Sequence, residues 1–550
     1  MTKTDAGGGL GRASALLASG TIVSRVLGFV SAAVLAQAIG TTGAGADTFA
    51  IANQLPNNIY AIIAGGLLSA VLVPQIVKAG MHDDGGQRFI NRLVTLGLAV
   101  FVIAAVVATV AAPWLVTLYS QQSADGTRGL SPDEIALATA FAYWCLPQVL
   151  FYAIYSLLGE VLNARKIFGP FTWTPVLNNL VAIAGMIVFI VAFGGDPAHT
   201  DATTWTGPMI ALLAGSATLG IAVQGLGLFW FWRRAGLTYR PDFHWRGVGL
   251  GATGKAASWV FGMIVVTQLA GIVQTNVASL AAGSGEASVR VLSLSWLIFM
   301  LPHSIVAVSI ATAYYTRMST HAHEGNLDGV RADFSASMRS IGLIMVFAAV
   351  GLVVLAYPFS AVFDNDFDNV QKMAVVVIAY LVGLVPFSIL FLIQRAFYSL
   401  GDTRTPFFLQ VFQSALFVLG ALVVTGFATE WIAVGIAAVT SIAGSAQAVV
   451  AAILLRRRLG RLDAGRIVRR YATFALASLP SAAVGVLLLF ALGGTTQDGF
   501  AVANWVSAIL SMAVIGAAMG LVYAGVLVAF RNPELGEIVR PLVRRLRGRR

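Results

Sequence analysis

The sequence predicts an all-α polytopic membrane protein with fourteen transmembrane helices. Of its 550 residues, 58% are hydrophobic and only 11% are charged, whereas soluble domains carry about 25% charged residues. Runs of about 20 mostly apolar residues, the length that crosses a bilayer, recur along the chain. A water-exposed surface cannot be made from so few charges, so the apolar excess is expected to face lipid.

Fourteen apolar runs define the predicted spans. The first follows a polar, glycine-rich tail, contains Arg25 and has no small-residue cleavage pattern, so we interpret it as a retained helix rather than a signal peptide. The spans lie near residues 14–39, 47–78, 92–120, 134–163, 171–195, 206–233, 248–282, 287–317, 335–362, 370–400, 406–427, 430–456, 470–493 and 500–530.

The basic residues indicate the orientation of these spans. With a cytoplasmic N-terminus, nearly all of the 35 Lys and Arg residues fall in cytoplasmic loops or adjacent helix ends. The opposite side holds Arg128, Arg290 and Lys372. Basic residues are retained on the cytoplasmic side during insertion, so we expect a multi-pass protein of the bacterial inner membrane with both termini cytoplasmic. We expect the basic loops to attract anionic lipid headgroups rather than nucleic acid.

Prolines in similar apolar contexts recur at a nearly constant offset. Pro56 in span 2 and Pro302 in span 8 each follow a leucine, and Pro147 in span 4 corresponds to Pro386 in span 10. This pattern predicts two pseudo-symmetric six-helix lobes, with spans 13 and 14 outside the repeat. Transporters built from such repeats place the substrate between the halves and alternate its access.

The predicted organisation therefore has five segments. They are a cytoplasmic N-terminal tail, an N-lobe, a C-lobe, a C-terminal helix pair and a basic cytoplasmic tail. Their predicted bounds are 1–13, 14–236, 237–460, 461–531 and 532–550.

A proline inside a helix removes a backbone hydrogen bond and kinks the helix. We therefore expect the four repeated prolines to let their helices bend during an access change, a static kink that only shapes packing being the alternative. A gate salt bridge or a solvated helix end is expected near the end of span 4. The predicted gating or hinge residues are Pro56, Pro147, Gly159, Glu160, Pro302 and Pro386.

Arg25 is the one basic residue deep within a predicted span, roughly 16 Å from its start at ~1.5 Å per residue. An arginine at such depth costs ~2.5–3.5 kcal/mol to insert, and its planar fork suits phosphate. We predict that it anchors a diphosphate. The alternative is a structural bond to helix-end carbonyls or to a carboxylate such as Asp47. His303 is either a proton site or a structural residue.

No motif indicates catalysis, a metal or a cofactor. The phosphate-binding Gly-Lys-Ser/Thr loop is absent, so the chain is not an ATP-driven pump by itself. The lone Cys145 excludes a disulfide framework and a cysteine-based metal site. We expect a transporter rather than an enzyme. Its energy would come from the membrane potential, a monovalent cation gradient or substrate consumption.

Several motifs, in order along residues 14–530, resemble one family. Segments 24–29, 46–49, 55–57 and 73–74 resemble the N-terminal signature of the MurJ (MviN) family of lipid II flippases. Two further groups of matching positions are Leu162-Asn163, Phe168, Pro170, Pro175 and Asn178, and Phe397-Tyr398-Ser399 with Asp402, Thr405 and Pro406.

The resemblance implies the fourteen-helix fold of the MOP exporter superfamily, to which MATE transporters belong. It implies export of an undecaprenyl-diphosphate-linked peptidoglycan precursor by alternating access, and a lipid-tail groove formed by spans 13 and 14. Cell-wall synthesis or division proteins are candidate partners. The candidate substrate-binding residues are Ser24, Arg25, Ser31, Asp47, Asn57 and Tyr60.

The chain departs from the family pattern at the arginines of the central cavity. Ser31 and Ala32 stand where members commonly carry an Arg-Asp pair, and Tyr60 stands where they carry a cavity arginine. Leu297 and Met300 replace a basic and an acidic residue before Pro302. Two alternatives therefore stay open. One is an exporter of another lipid-linked glycan or amphipathic small molecule, and the other is a transport-inactive scaffold for cell-wall enzymes.

Overall fold

Every regular element of the described residues is helical, in agreement with the predicted all-α class. The computed structural model describes residues 5–67, 86–123, 128–165, 167, 169–196, 198–234, 236–244 and 254–536. The motif residues Val73, Pro74 and Phe168, the end of span 2 and most of the predicted basic tail lie outside the described residues.

The first of two compact units comprises Met1–Arg290. Its helices are α1 (Asp5–Ile39), α2 (Ala44–Leu67), α3 (Gln87–Val110), α4 (Ala112–Tyr119), α5 (Pro132–Cys145), α6 (Gln148–Ala164), α7 (Gly169–Phe193), α8 (Gly207–Arg234) and α9 (Gly254–Ala278). Helix α7 packs along both α1 and α8, and α6 packs on α3 and α8. Phe101, Leu157 and Trp232 are buried in the core between α3, α6 and α8.

The segment that follows α8 is fastened to α3. Arg92 Nε lies 2.9 Å from Asp242 Oδ2, and the hydroxyl groups of Thr95 and Tyr239 lie 3.0 Å apart. Hydrogen bonds from the His244 backbone and side chain, and then from Arg92, lower the pKa of Asp242 to about 2. The ion pair therefore stays charged at any physiological pH.

The second unit comprises Val291–Arg550. Its helices are α10 (Val289–Pro302), α11 (Val308–His323), α12 (Leu327–Val354), α13 (Ala356–Ser360), α14 (Phe367–Leu381), α15 (Leu384–Ser399), α16 (Arg404–Val424), α17 (Thr429–Leu459), α18 (Ala464–Ala491) and α19 (Trp505–Ala529). Helix α17 packs on α14, α15 and α16, whereas α18 packs on α12 and α19.

The structure has a helix at each of the fourteen predicted spans. Among the described residues, twelve helices or continuous helix pairs are long and apolar enough to cross a membrane, or thirteen when the bent pair α14–α15 counts as one span. Helix α2, over its described residues, is not among them. Fourteen spans therefore remain the prediction, and the membrane-spanning helical class is confirmed.

Several helices begin earlier than the apolar runs predicted. Helix α1 begins at Asp5 rather than at 14, α12 at Leu327 rather than at 335, and α18 at Ala464 rather than at 470. The start of α12 follows Asn326, whose side chain accepts a hydrogen bond from the Gly329 backbone. A capping side chain, rather than hydropathy, sets such a start.

The boundary between the two units differs from the predicted lobe boundary at 236. Helix α9, which we assigned to the C-lobe, packs on α2 and α4 of the first unit. Gln54 Nε2 donates to Thr275 Oγ1 at 3.2 Å, and the Gln121 side chain donates to Asn276 Oδ1. These polar bonds explain why α9 clusters with the first unit. The lobes drawn from the repeat remain a prediction.

An ionic cluster joins the chain after α19 to α12 and α18. Glu534 is 5% exposed, and its Oε1 atom lies 3.0 Å from Arg339 Nε and 3.3 Å from Arg470 Nε. Removing one partner of a buried ion pair leaves an uncompensated charge. The cluster should therefore stabilise the two C-terminal helices against α12.

We predict that Glu534→Ala lowers the midpoint of thermal unfolding of the purified protein, the loss being about 3 kcal/mol for a broken buried pair. The matched control is Glu324→Ala, because the Glu324 side chain is 61% exposed and its contact with His321 is 3.7 Å long. Equal unfolding midpoints for the two variants would contradict the stabilising role of the cluster.

Candidate functional site

Arg25 projects from the part of α1 that is turned away from α7. The contact with α7 uses Gly20, Ser24 and Gly28, and the Ser24 carbonyl accepts a hydrogen bond from Asn179 Nδ2 at 3.0 Å. The Arg25 side chain is exposed. Within the described part of the chain, no carboxylate forms an ion pair with it. Arg25 is therefore a charged group without a fixed partner there, whereas Ser24 serves helix packing through its backbone.

Asp47, near the start of α2, and Arg290, the last residue of the first unit, form a buried polar contact. Asp47 is 1% exposed and Arg290 is 8% exposed. The Arg290 backbone N–H donates to Asp47 Oδ1 at 3.0 Å, and Arg290 Nη2 donates to the Ala32 carbonyl at 3.3 Å. Arg290 Nε and Asp47 Oδ2 are buried without a hydrogen-bond partner among the described residues. The contact thus joins Arg290, the last residue of the first unit, to α1 and α2.

This contact changes the interpretation of Arg25. Asp47, which the sequence offered as a structural partner for Arg25, instead accepts from Arg290. Arg25 precedes Ala32 by seven residues, so the two positions share one face of α1 and lie about 10 Å apart along its axis. The guanidinium of Arg290 therefore binds the backbone of α1 two turns after Arg25. The sequence analysis did not predict the contacts of Arg290. The distribution of basic residues indicated only the side of the membrane on which Arg290 lies.

Tyr60 lies in an aromatic cluster. Its ring centroid is 5.9 Å from that of Phe101 and 5.7 Å from that of Tyr152. The neighbouring candidate Asn57 is exposed. Tyr60 therefore packs against α3 and α6, and the substrate-binding role of both residues remains a prediction.

Ser31 lines a cavity of about 180 Å³ inside the first unit. Side chains from α1, α2, α6, α7 and α8 meet there. The polar lining residues are Ser31, Asn53, Tyr152, Asn178, Asn179 and Ser216. Of these, the sequence singled out only Ser31, as a replaced arginine, and Asn178, as a motif residue. The others lie on separate helices without a shared motif, so no sequence signal could have grouped them.

Three of the four predicted hinge prolines lie at helix irregularities. Pro147 directly precedes α6 at its break with α5, and Pro386 lies in the first turn of α15, after the 41° bend that follows α14. Pro302 ends α10 and is followed by the π-helical turn His303–Ala307. Pro56 lies within the continuous helix α2. Bending at these positions during transport remains a prediction.

His303 is a buried residue of the second unit. It is 2% exposed, and its Nδ1 atom lies 3.0 Å from Ser388 Oγ. The ring packs between Phe387 and Phe391, at centroid distances of 4.6 Å and 5.3 Å. These contacts give His303 a structural role in joining the π-helical turn to α15.

The remaining candidates lie in α6. Gly159 is buried near Phe171, and Glu160 is half-buried one turn before Arg165. Their gating role remains a prediction. No group of three or more metal-ligating side chains occurs among the residues that the structure describes.

Comparisons with known proteins agree with this architecture. The sequence model of the family described as "Lipid II flippase MurJ" matches residues 35–530. A protein named "Probable lipid II flippase MurJ" from Haemophilus influenzae is 27% identical over 535 residues, covering 92% of this chain and 98% of that protein. A protein of the same name from Vibrio cholerae is 26% identical over 408 residues, covering 70% of this chain and 72% of that protein.

Solved structures share the fold. The structure titled "Lipid II flippase MurJ, inward closed conformation" superposes with a TM-score of 0.70 at 18% identity, covering 93% of this chain and 99% of that chain. An inward-facing multidrug resistance MATE family transporter of the MOP superfamily gives a TM-score of 0.60 at 16% identity, covering 81% and 95%. The helical architecture is thus that of MOP transporters, and the match over residues 35–530 shows that this chain belongs to the MurJ family of lipid II flippases.

Proposed function

We propose that this protein translocates lipid II, the lipid-linked peptidoglycan precursor, from the cytoplasmic to the outer leaflet of the bacterial inner membrane. The observation that carries the proposal is the family match over residues 35–530, on a bundle that also resembles MOP transporters. The arrangement supports a transporter rather than an enzyme. We expect both termini in the cytoplasm, on the basis of the distribution of basic residues.

Arg25 supports binding of the anionic part of such a substrate. A diphosphate needs a cation that is accessible and not already neutralised, and an arginine fork binds phosphate oxygens in pairs. Arg25 is exposed, and Asp47, the carboxylate in the neighbouring helix α2, is engaged by the backbone of Arg290. The charge of Arg25 therefore remains available to a ligand.

The C-terminal helix pair supports contact with a long apolar chain. Helices α18 and α19 pack on each other and on α12, yet they keep many large apolar side chains exposed. Leu476 and Leu487 on α18 are 61% and 69% exposed, and Leu521 on α19 is 75% exposed. We propose that these surfaces accommodate the polyprenyl tail beside the bilayer lipids. The driving force remains the expected membrane potential or monovalent cation gradient.

A second candidate is export of another polyprenyl-diphosphate-linked glycan. Ser31 and Tyr60 replace arginines that the family commonly carries, and the structure places one beside an uncharged cavity and the other in an aromatic cluster. The substrate headgroup would then meet fewer positive charges than in typical members. A different glycan on the same lipid carrier would need the same accessible Arg25.

Depletion of this protein in its host should lower the amount of lipid II on the outer leaflet. The measurement is outer-leaflet lipid II, labelled by an impermeant reagent, normalised to total lipid II. Re-expression of the intact protein is the control for secondary effects. An unchanged outer-leaflet fraction together with an altered surface glycan would support the second candidate, and no change in either would support the scaffold alternative.

Arg25→Ala should reduce the initial rate of lipid II flipping in reconstituted vesicles by at least tenfold, because a charge-assisted contact to phosphate is lost. Arg25→Lys should retain part of the rate, since the charge persists without the planar fork. The matched control is Arg457→Ala, an exposed arginine near the end of α17. Wild-type rates for Arg25→Ala would remove Arg25 from the proposed mechanism.

Pro56→Ala and Pro302→Ala should slow transport without lowering the thermal unfolding midpoint, if these positions bend during the access change. The same vesicle assay gives the rate, and light-scattering or fluorescence melts give the midpoint. Pro480→Ala is the control, since Pro480 lies inside α18 and outside the proposed hinges. Normal rates in both hinge variants would leave the prolines with a packing role only.

A further inference from the structure

The cavity beside Ser31 is lined by neutral groups only. Its described lining residues carry amides, hydroxyls and apolar side chains, and none of them is charged. The polar residues Asn53, Asn178 and Asn179 are half-buried rather than buried, so a small group can reach them. Phe49 and Ala182 contribute to an apolar wall. A small number of placed polar groups against an apolar wall is typical of a ligand site.

A buried glutamine fixes the amide of Asn53. Gln148 is fully buried, and its Nε2 donates to Asn53 Oδ1 at 3.3 Å and to Thr218 Oγ1 at 2.9 Å. The Asn53 oxygen accepts this bond, and among the described residues no hydrogen bond uses the Nδ2 group, which is left to donate. Gln148 Oε1 is buried without a hydrogen-bond partner in the described part of the chain. This region of the unit therefore carries more hydrogen-bonding capacity than its own packing uses.

Helices α7 and α8 present hydrogen-bond acceptors instead of a donor. Asn179 Nδ2 donates to the Ser24 carbonyl, which leaves Asn179 Oδ1 as an acceptor. The Ser216 hydroxyl donates to the Leu213 carbonyl at 2.9 Å, so its oxygen can only accept. The cavity thus presents a donor from α2 and acceptors from α7 and α8.

This pattern selects the chemistry of the ligand. A cation would enter a site of low polarity without a compensating carboxylate, which is unfavourable, and an anion would meet no guanidinium or ammonium. A neutral group that both accepts and donates hydrogen bonds can pair with the donor on α2 and with an acceptor on α7 or α8. The cavity volume is about 180 Å³, below the ~300–1,000 Å³ of pockets that bury a whole drug-sized ligand. It can therefore hold one such group, but not a whole disaccharide-peptide.

We propose that this cavity is a subsite for a secondary amide of the transported headgroup. The Asn53 Nδ2 group donates to the amide carbonyl, the amide N–H donates to Asn179 Oδ1, and the methyl or methylene beside it packs on the apolar wall. This inference rests on the proposed function. The same chemistry occurs in the acetamido group of an amino sugar and in a peptide bond, so the experiment must separate these two sources.

The first test uses Ala182→Leu, which fills the cavity, and Tyr152→Phe, which removes one hydroxyl at nearly constant shape. The matched control is Ala184→Leu, because Ala184 lies on the same helix and is exposed. In reconstituted vesicles, Ala182→Leu should raise the apparent KM for lipid II flipping about tenfold, with kcat within twofold of wild type, and Tyr152→Phe should raise it less. Wild-type KM values for both variants would overturn the proposal.

Two modified substrates distinguish the acetamido group from a peptide bond as the amide that occupies the cavity. One is the lipid-linked disaccharide without its peptide, and the other is the full substrate with the acetamido groups converted to amines. If the acetamido group occupies the cavity, only the deacetylated substrate should show the raised KM in the wild-type protein. If a peptide bond occupies it, only the substrate without peptide should do so. A raised KM with neither substrate would overturn the amide assignment.

A binding measurement keeps this proposal distinct from the transport proposal. Saturation-transfer NMR with the purified full-length protein would use N-acetylglucosamine and N-methylacetamide as probes, with glucosamine as the control. Signal for at least one amide probe that Ala182→Leu abolishes and Ala184→Leu retains supports the subsite, even if no lipid II flipping is observed. Equal signals from wild type and Ala182→Leu would overturn the subsite, whatever the transport result.

Discussion

The contact of Asp47 with Arg290 is the constraint on which the first unit depends. In a bilayer the backbone must satisfy its own hydrogen bonds, which restricts the chain to helices, and polar side chains must then find partners between helices. Asp47 accepts from the Arg290 backbone, while the Arg290 guanidinium reaches the Ala32 carbonyl. Both side chains are buried, so each needs these hydrogen bonds to offset its loss of water. Arg290, the last residue of the first unit, therefore ties the end of α1 to the start of α2.

Among the described residues, buried and exposed charges make different contacts. Arg339 and Glu534 are buried against each other and serve helix packing, and Arg290 is buried against α1 and α2. Arg25 is exposed and, among the described residues, is not neutralised. The depth of Arg25 in its span could be predicted from hydropathy, but only the structure shows that Asp47 accepts from Arg290 instead. A guanidinium that forms no ion pair within the protein can bind an anionic ligand.

Hydropathy predicted the helical class and a helix at each of the fourteen spans, because lipid exposure imposes that pattern directly. It did not predict the breaks inside spans, such as the one between α5 and α6. Capping and irregular turns were less predictable. The early start of α12 depends on Asn326, and the π-helical turn after Pro302 depends on packing of His303 against α15. The site was predicted only in part. Arg25, Ser31 and Asp47 were named in advance, but the contact made by Arg290 and the grouping of Asn53 with Asn179 arise from helices far apart in sequence.

Recognition of a lipid-linked substrate by this protein involves both electrostatic attraction and the shape of the site. The diphosphate and the polyprenyl tail are shared by every lipid-linked glycan on this carrier, so neither Arg25 nor the apolar surfaces of α18 and α19 can tell one such lipid from another. Specificity is a difference of affinities, and buried polar groups left unpaired by the wrong ligand discriminate more strongly than an apolar pocket does. The uncharged, hydrogen-bonding cavity between α2, α7 and α8 can impose such a penalty. In the proposed function, this cavity rather than charge therefore provides the selectivity between headgroups.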